Sequence, residues 1–161
     1  SSNTAAVSCQ GKAATIYVNA QGVIVGGPQA GRNFQGFLEG TTGDDVMVGT
    51  SAGDTIFSLD GNDTVCAGAG NDYVNTGSGN DAAFGEAGHD TIDLSFGNDT
   101  ADGGEGQDSL NGQDGTDVLD GGPGNDSCRN AEAVVNCETQ AIRSFSPVGF
   151  QWVPATYPVL G

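Results

Sequence analysis

Every ninth position is apolar in the stretch from residue 43 to residue 128. Met47, Ile56, Val65, Val74, Ala83, Ile92, Ala101, Leu110, Leu119 and Cys128 follow one another at this spacing without a slip. A single inward side chain between two outward neighbours describes a three-residue strand, because successive Cβ atoms alternate across the pleat. Two residues before each apolar position stands an aspartate: Asp45, Asp54, Asp63, Asp72, Asp81, Asp90, Asp99, Asp108, Asp117 and Asp126. Two residues earlier again comes a glycine in every unit except the second, where Ala52 replaces it. Glycine admits positive φ, so each unit reads as a turn followed by a short strand. Units with one buried residue cannot cover a face alone and must stack on each other.

The flanking segments follow other patterns. Thr15-Ile16-Tyr17-Val18 and Val23-Ile24-Val25, separated by Asn19-Ala20-Gln21-Gly22, predict a β-hairpin with a four-residue loop. The Gly26–Gly31 stretch that follows is a turn and not a nucleotide loop, since neither a helix pattern nor a P-loop lysine comes after it. Beyond Cys137, Phe145, Val148, Phe150, Trp152, Val153, Tyr157, Val159 and Leu160 are interspersed with Pro147, Pro154 and Pro158, which predicts an extended apolar tail. Such a tail either caps its own roll or is donated to a neighbouring copy. The chain thus divides into a β-rich N-terminal cap or hairpin segment (1–42), the repeat (43–128), and a disulfide-closed end with the apolar tail (129–161).

The units Gly-Ala-Gly-Asn-Asp-Tyr-Val (68–74) and Gly-Gly-Pro-Gly-Asn-Asp-Ser (121–127) resemble the nonapeptide G-G-x-G-x-D-x-U-x of the RTX, or hemolysin-type, calcium-binding repeats. The resemblance covers roughly half the chain, with the first glycine pair degraded in places, as at Ser58-Leu59 and Leu94-Ser95. It implies an all-β fold: a parallel β-roll (β-solenoid) of about five coils, two units per coil, with calcium held between stacked turns. Ten units then define about eight calcium positions, four per edge. The ten repeat aspartates are the expected metal ligands, with turn carbonyls completing the coordination.

Charge leads to the same cation independently. All sixteen aspartates lie between residues 44 and 126, joined by Glu86 and Glu105, and no Lys or Arg falls between Arg32 and Arg129. Coils stacked about 5 Å apart bring these carboxylates into mutual repulsion, which oxygen-preferring divalent cations relieve. The core side chains are too few to offset ordering about eighty residues at roughly 1–2 kcal/mol each. The metal-free form is therefore expected to be largely unfolded. A net charge of −17 disfavours nucleic acid and anionic membrane as partners, and no run is long and apolar enough for membrane insertion.

Four cysteines without C-x-x-C spacing point to disulfides and an extracellular setting. Cys128 and Cys137 are close enough to pair, which leaves Cys9 for Cys66. The polar start at Ser1 fits a processed, secreted form. The first three odd-numbered units point Val46, Val48, Cys66, Ala82 and Phe84 outward, an apolar patch that the N-terminal hairpin is expected to cover. His89 takes a turn position held by Asn elsewhere and has no nucleophile partner, so no catalytic site is expected. The Asn-x-Thr/Ser matches at Asn62, Asn98 and Asn125 are by-products of the repeat. These readings combine into a non-enzymatic, secreted calcium-binding structural protein that self-assembles through its termini into a filament or matrix. The alternative is a monomeric calcium-binding module of a larger secreted enzyme or adhesin; ice binding is disfavoured by irregular outward ranks such as Val46, Thr64, Ala82, Thr100 and Val118.

Overall fold

The computed structural model describes residues 7–142. The apolar tail predicted from Phe145 onward lies outside the described residues. Two parallel stacks of strands face each other, and no helix occurs among the described residues. One stack runs Val46–Val48, Thr64–Ala69, Ala82–Gly88, Thr100–Asp102, Val118–Asp120 and Ala133–Val135. The other runs Phe37–Glu39, Thr55–Phe57, Tyr73–Asn75, Thr91–Asp93, Ser109–Asn111, Ser127–Ala131 and Thr139–Ile142.

Within the repeat the register is 18 residues, as in Ala83↔Ala101 and Ile92↔Leu110, so two nonapeptides make one coil. This is the predicted parallel β-roll. It has about six turns, one more than the nonapeptide count gives. Phe37–Glu39 precedes the first unit, and Ala133–Val135 and Thr139–Ile142 continue the two stacks past the last. None of these three carries the Asp-x-apolar signature; parallel pairing recruits them, with Leu38 in the core and Val134 packed against it.

All ten predicted inward residues are buried, nine of them with at most 1% exposure and Ala101 with 5%. Leu38, Ala67 and Leu94 join this column. Both expected disulfides form, Cys9–Cys66 with Cα atoms 5.6 Å apart and Cys128–Cys137 with 5.9 Å.

The predicted hairpin is present, with Ile16–Val18 antiparallel to Ile24–Val25 and Gly22 closing its loop at φ 72°. Its position differs from the expectation. Ile16–Val18 pairs in parallel with Val46–Val48 and so continues that sheet edgewise, instead of lying across the outer face. An unpaired edge strand offers a row of hydrogen-bonding groups, which outweighs the pull of a small apolar patch. The patch is partly covered by a shorter hairpin, Ser8–Cys9 with Lys12–Ala13, whose Cys9 bonds Cys66 and whose Lys12 Nζ donates to Thr64 Oγ1 at 2.8 Å.

Candidate metal centre

The turns between strands stack as closely as the strands do. At Gly79, Gly88, Gly97, Gly106 and Gly115, φ lies between 143° and 151°, and an added Cβ would stand 1.4–1.7 Å from the carbonyl oxygen of the equivalent glycine one coil earlier. Only glycine closes these turns. Gly43 and Ala52, at the same place in the first two units, do not take positive φ, which is why alanine is accepted there.

Strand pairing and glycine turns together bring the repeat aspartates into two ladders, one along each edge. All ten are buried, none more than 6% exposed. In each ladder the N–H of one aspartate donates to Oδ1 of the aspartate one coil later, at 2.7–3.0 Å. One edge runs Asp45, Asp63, Asp81, Asp99 and Asp117. The other runs Asp54, Asp72, Asp90, Asp108 and Asp126. Where the repeat ends, glutamates substitute: Glu132 accepts the Asp117 N–H, and Glu138 accepts the Asp126 N–H.

A second ladder runs beside each of these. Asn80 N–H donates to Asn62 Oδ1, Asn98 N–H to Asn80 Oδ1 and Thr116 N–H to Asn98 Oδ1. His89 belongs to the equivalent ladder on the other edge, where its Nδ1 accepts the Gln107 N–H at 2.8 Å. It is a structural acceptor in the place of an asparagine oxygen.

Each aspartate uses Oδ1 in the ladder, and what Oδ2 meets decides its chemistry. In Asp63, Asp72, Asp81, Asp90, Asp99, Asp108 and Asp126 this oxygen is buried without a hydrogen-bond donor. Leaving a buried carboxylate oxygen unsatisfied is costly. Burial accordingly pushes Asp63, Asp72, Asp81 and Asp99 up to about 6 and Asp90 to about 7, against the opposing N–H bond from the preceding coil. Asp108 is raised for the same reasons.

The oxygens that could meet a cation come from the turns. An added Cβ at Gly85 would stand 2.5 Å from Asp90 Oδ2 and 2.4 Å from Gly103 O. At Gly103 the distances are 2.6 Å to Asp108 Oδ2 and 2.6 Å to Gly121 O, and at Gly121 they are 2.8 Å to Asp126 Oδ2 and 2.3 Å to Asn136 O. A carboxylate oxygen of one coil and a carbonyl of the next thus close in together on each glycine, which has no room for a side chain. Hard oxygen donors in flexible turns suit calcium, which takes about six to eight of them. No group of three or more His, Cys, Asp or Glu side chains able to hold a metal converges among the described residues, so main-chain carbonyls must supply much of any shell.

An acidic parallel roll with unsatisfied carboxylate oxygens between its coils defines a metal-binding solenoid. The family model of the RTX calcium-binding nonapeptide repeat, in four copies, matches residues 39–74, 67–101 and 93–128, and the chain belongs to that family. RTX repeats bind calcium between turns. No curated protein and no solved structure matches the chain.

The structure thus places all ten predicted ligands on the two turn edges. Sequence reasoning missed the glutamates that end the ladders, because Glu132 and Glu138 fall off the nine-residue period. It also missed Thr41 and Thr50, which donate to Asp45 and Asp54. Their signal was present: both stand four residues before an aspartate, where the motif has its second glycine.

Proposed function

We propose that this chain is a secreted, non-enzymatic structural protein whose roll folds on calcium and whose apolar termini join copies into an extracellular filament or matrix. The observation that carries the calcium part is the file of buried aspartates with an unsatisfied Oδ2 facing turn carbonyls. Bound calcium would supply the positive charge and the missing coordination there, with the repeat aspartates as ligands. Two disulfides fit an oxidising, calcium-rich exterior. The absence of catalysis rests on sequence, which offers one histidine and no nucleophile beside it. Assembly rests on the proline-punctuated apolar tail after residue 142 and on the parallel roll itself, whose end-to-end contact does not close and so propagates.

A second reading is favoured by one observation. The ladders are terminated by Glu132 and Glu138 and tied by Cys128–Cys137, the closure expected of a self-contained calcium-binding module of a larger secreted enzyme or adhesin. Sedimentation of the oxidised chain in millimolar calcium and in EDTA separates the two. Large calcium-dependent species that revert to monomers on removal of residues 143–161 are expected; a compact monomer in calcium would sink the filament and leave the module.

A further inference from the structure

Away from the two aspartate edges, one outward face of the roll changes character along its length. On the stack that begins with Phe37–Glu39, Leu38, Ile56 and Val74 are buried in the core, so Phe37, Phe57 and Tyr73 point outward. Their rings follow one another across three neighbouring strands, with centroids 5.7 Å and 5.8 Å apart and planes inclined at 55° in both pairs. Tilted contacts of this kind are attractive and hold the rings together as a strip. Tyr73 keeps 37% of its surface exposed, and Phe37 and Phe57 are half-buried. In the later coils the same face is polar. Asn75 Nδ2 donates to Ser95 Oγ at 3.1 Å, Asn111 Nδ2 to Asp93 Oδ2 at 3.5 Å, and Asn130 Nδ2 to Asn111 Oδ1 at 2.8 Å. An aromatic strip confined to one end of a hydrophilic sheet marks a contact surface.

The chain itself carries a segment that suits this strip. Residues 143–161 hold Phe145, Phe150, Trp152 and Tyr157 among Pro147, Pro154 and Pro158, with one cation, Arg143, and no acidic residue. Proline fixes φ beforehand and so lowers the ordering cost of docking on aromatic side chains. The segment also lacks the charge that would be repelled by a roll whose sixteen aspartates lie between residues 44 and 126. It follows Thr139–Ile142, the last strand of the same stack, whereas the strip lies on the first three strands. To reach its own strip the segment would double back over four to six strands, about 19–29 Å at about 4.8 Å per strand, across the polar face. When two copies follow end to end, the last strand of one lies beside the strip of the next. The eight residues from Ile142 to Phe150 then reach it, spanning about 25 Å at about 3.1 Å each. The next copy offers this face more readily than its strand edge, because Gln29 Oε1 already accepts the Glu39 N–H at 3.1 Å.

We infer that the Phe37, Phe57 and Tyr73 strip of one copy is the docking surface for residues 143–161 of the copy before it. The inference rests on the assembly reading above and names the surface that assembly uses. It makes the contact heterologous, with two different patches meeting, which is the kind that propagates.

Trp152, the only tryptophan, reports on the segment directly. Acrylamide quenching of its fluorescence is measured over a dilution series of the oxidised full-length chain in millimolar calcium, for the unmodified protein, Tyr73→Thr and Phe57→Asn. Each substitution installs a residue found on the same face at the paired position of a neighbouring strand, Thr55 or Thr91 for the first and Asn75 for the second. Trp152 should become shielded as concentration rises, in step with large species in sedimentation, and each variant should raise the concentration required by about tenfold. Shielding that is the same in both variants as in the unmodified chain would overturn the inference while leaving assembly intact. Shielding independent of concentration would also overturn it, because the segment would then lie on its own chain. A monomer with Trp152 freely quenched at every concentration would remove the assembly reading and this inference with it. Should Phe57→Asn fail to fold, Tyr73→Thr, at the more exposed ring, decides alone.

Discussion

Asp54 and Asp108 occupy the same place in the repeat, on the same edge, in the same ladder, yet they are satisfied differently. Asp54 receives the N–H and hydroxyl of Thr50, whereas Asp108 Oδ2 is buried with no donor. The contrast extends to the whole of the roll. Coils before residue 81 stack Leu38, Met47, Ile56, Val65 and Val74 in the core, add Ser58 and Thr76 hydroxyl bonds, and are tied to the N-terminal segment by Cys9–Cys66. Later coils put the small Ala83 and Ala101 in the same column between Ile92, Leu110 and Leu119. One periodic sequence thus builds a first end held by threonine donors and a disulfide to the N-terminal segment, and further coils whose carboxylates keep an Oδ2 without a donor.

Calcium removal should produce the largest effect. At calcium about 100 times Kd, each site that only the folded state offers contributes about 2.7 kcal/mol. Urea unfolding followed in calcium and in EDTA should show a loss of this order, confined to the later coils. A loss shared by the early coils would break the comparison.

Cys9–Cys66 spans 57 residues and Cys128–Cys137 spans 9. Chain-entropy arguments give them about 4 and about 2.6 kcal/mol respectively. Replacing the first pair by serine should therefore lower the stability of the early coils more than replacing the second lowers that of the later ones. Equal losses in both would contradict the idea that the early half depends on its covalent tie.

Acid should partly replace metal. Asp63, Asp72, Asp81 and Asp99 are raised to about 6 and Asp90 to about 7, from 3.8. The native state therefore binds protons more tightly than the unfolded chain. Its stability is greatest below the unfolded value and is lost as pH rises through the folded values. In EDTA, the melting temperature is expected to fall between pH 4 and pH 7.5; a rise over that range would show that these carboxylates are not buried as described. Asp63→Asn keeps the Oδ1 acceptor and removes the buried charge, and should stabilise the metal-free chain at pH 7.5 by about 1 kcal/mol or more.

The smallest effect concerns backbone strain. Leu59 holds φ at 80° where the motif has its second glycine. Left-handed backbone costs a non-glycine residue about 1–2 kcal/mol, so Leu59→Gly should be neutral to stabilising despite the entropy of glycine. Clear destabilisation in thermal melts would mean that the half-exposed Leu59 side chain does more for the early coils than its backbone costs.

Much of this was legible in the sequence because a solenoid writes its geometry as a period. The inward column, the parallel stacking, the two files of aspartates and the Cys128–Cys137 bond follow from residues nine or eighteen apart, and Cys9–Cys66 follows by elimination. What lay hidden is aperiodic. Ile16–Val18 joins the sheet in parallel although Ile16 lies far from its partner Met47 in the chain, and Glu132 and Glu138 end the ladders at spacings of 15 and 12. The degraded glycines at Ser58, Ala67, Thr76 and Leu94 were visible, but not the full burial of their side chains. Whether such a side chain points outward or inward depends on the turn conformation and not on its identity.

Hydrogen exchange of the oxidised chain in calcium and in EDTA, resolved by segment, tests the central claim most directly. The strands from Thr91–Asp93 to Ser127–Ala131 should lose protection at least 100-fold in EDTA, while Met47, Ile56 and Val65 and their neighbours change by less than about tenfold. Uniform loss along the roll, or none, would contradict the account.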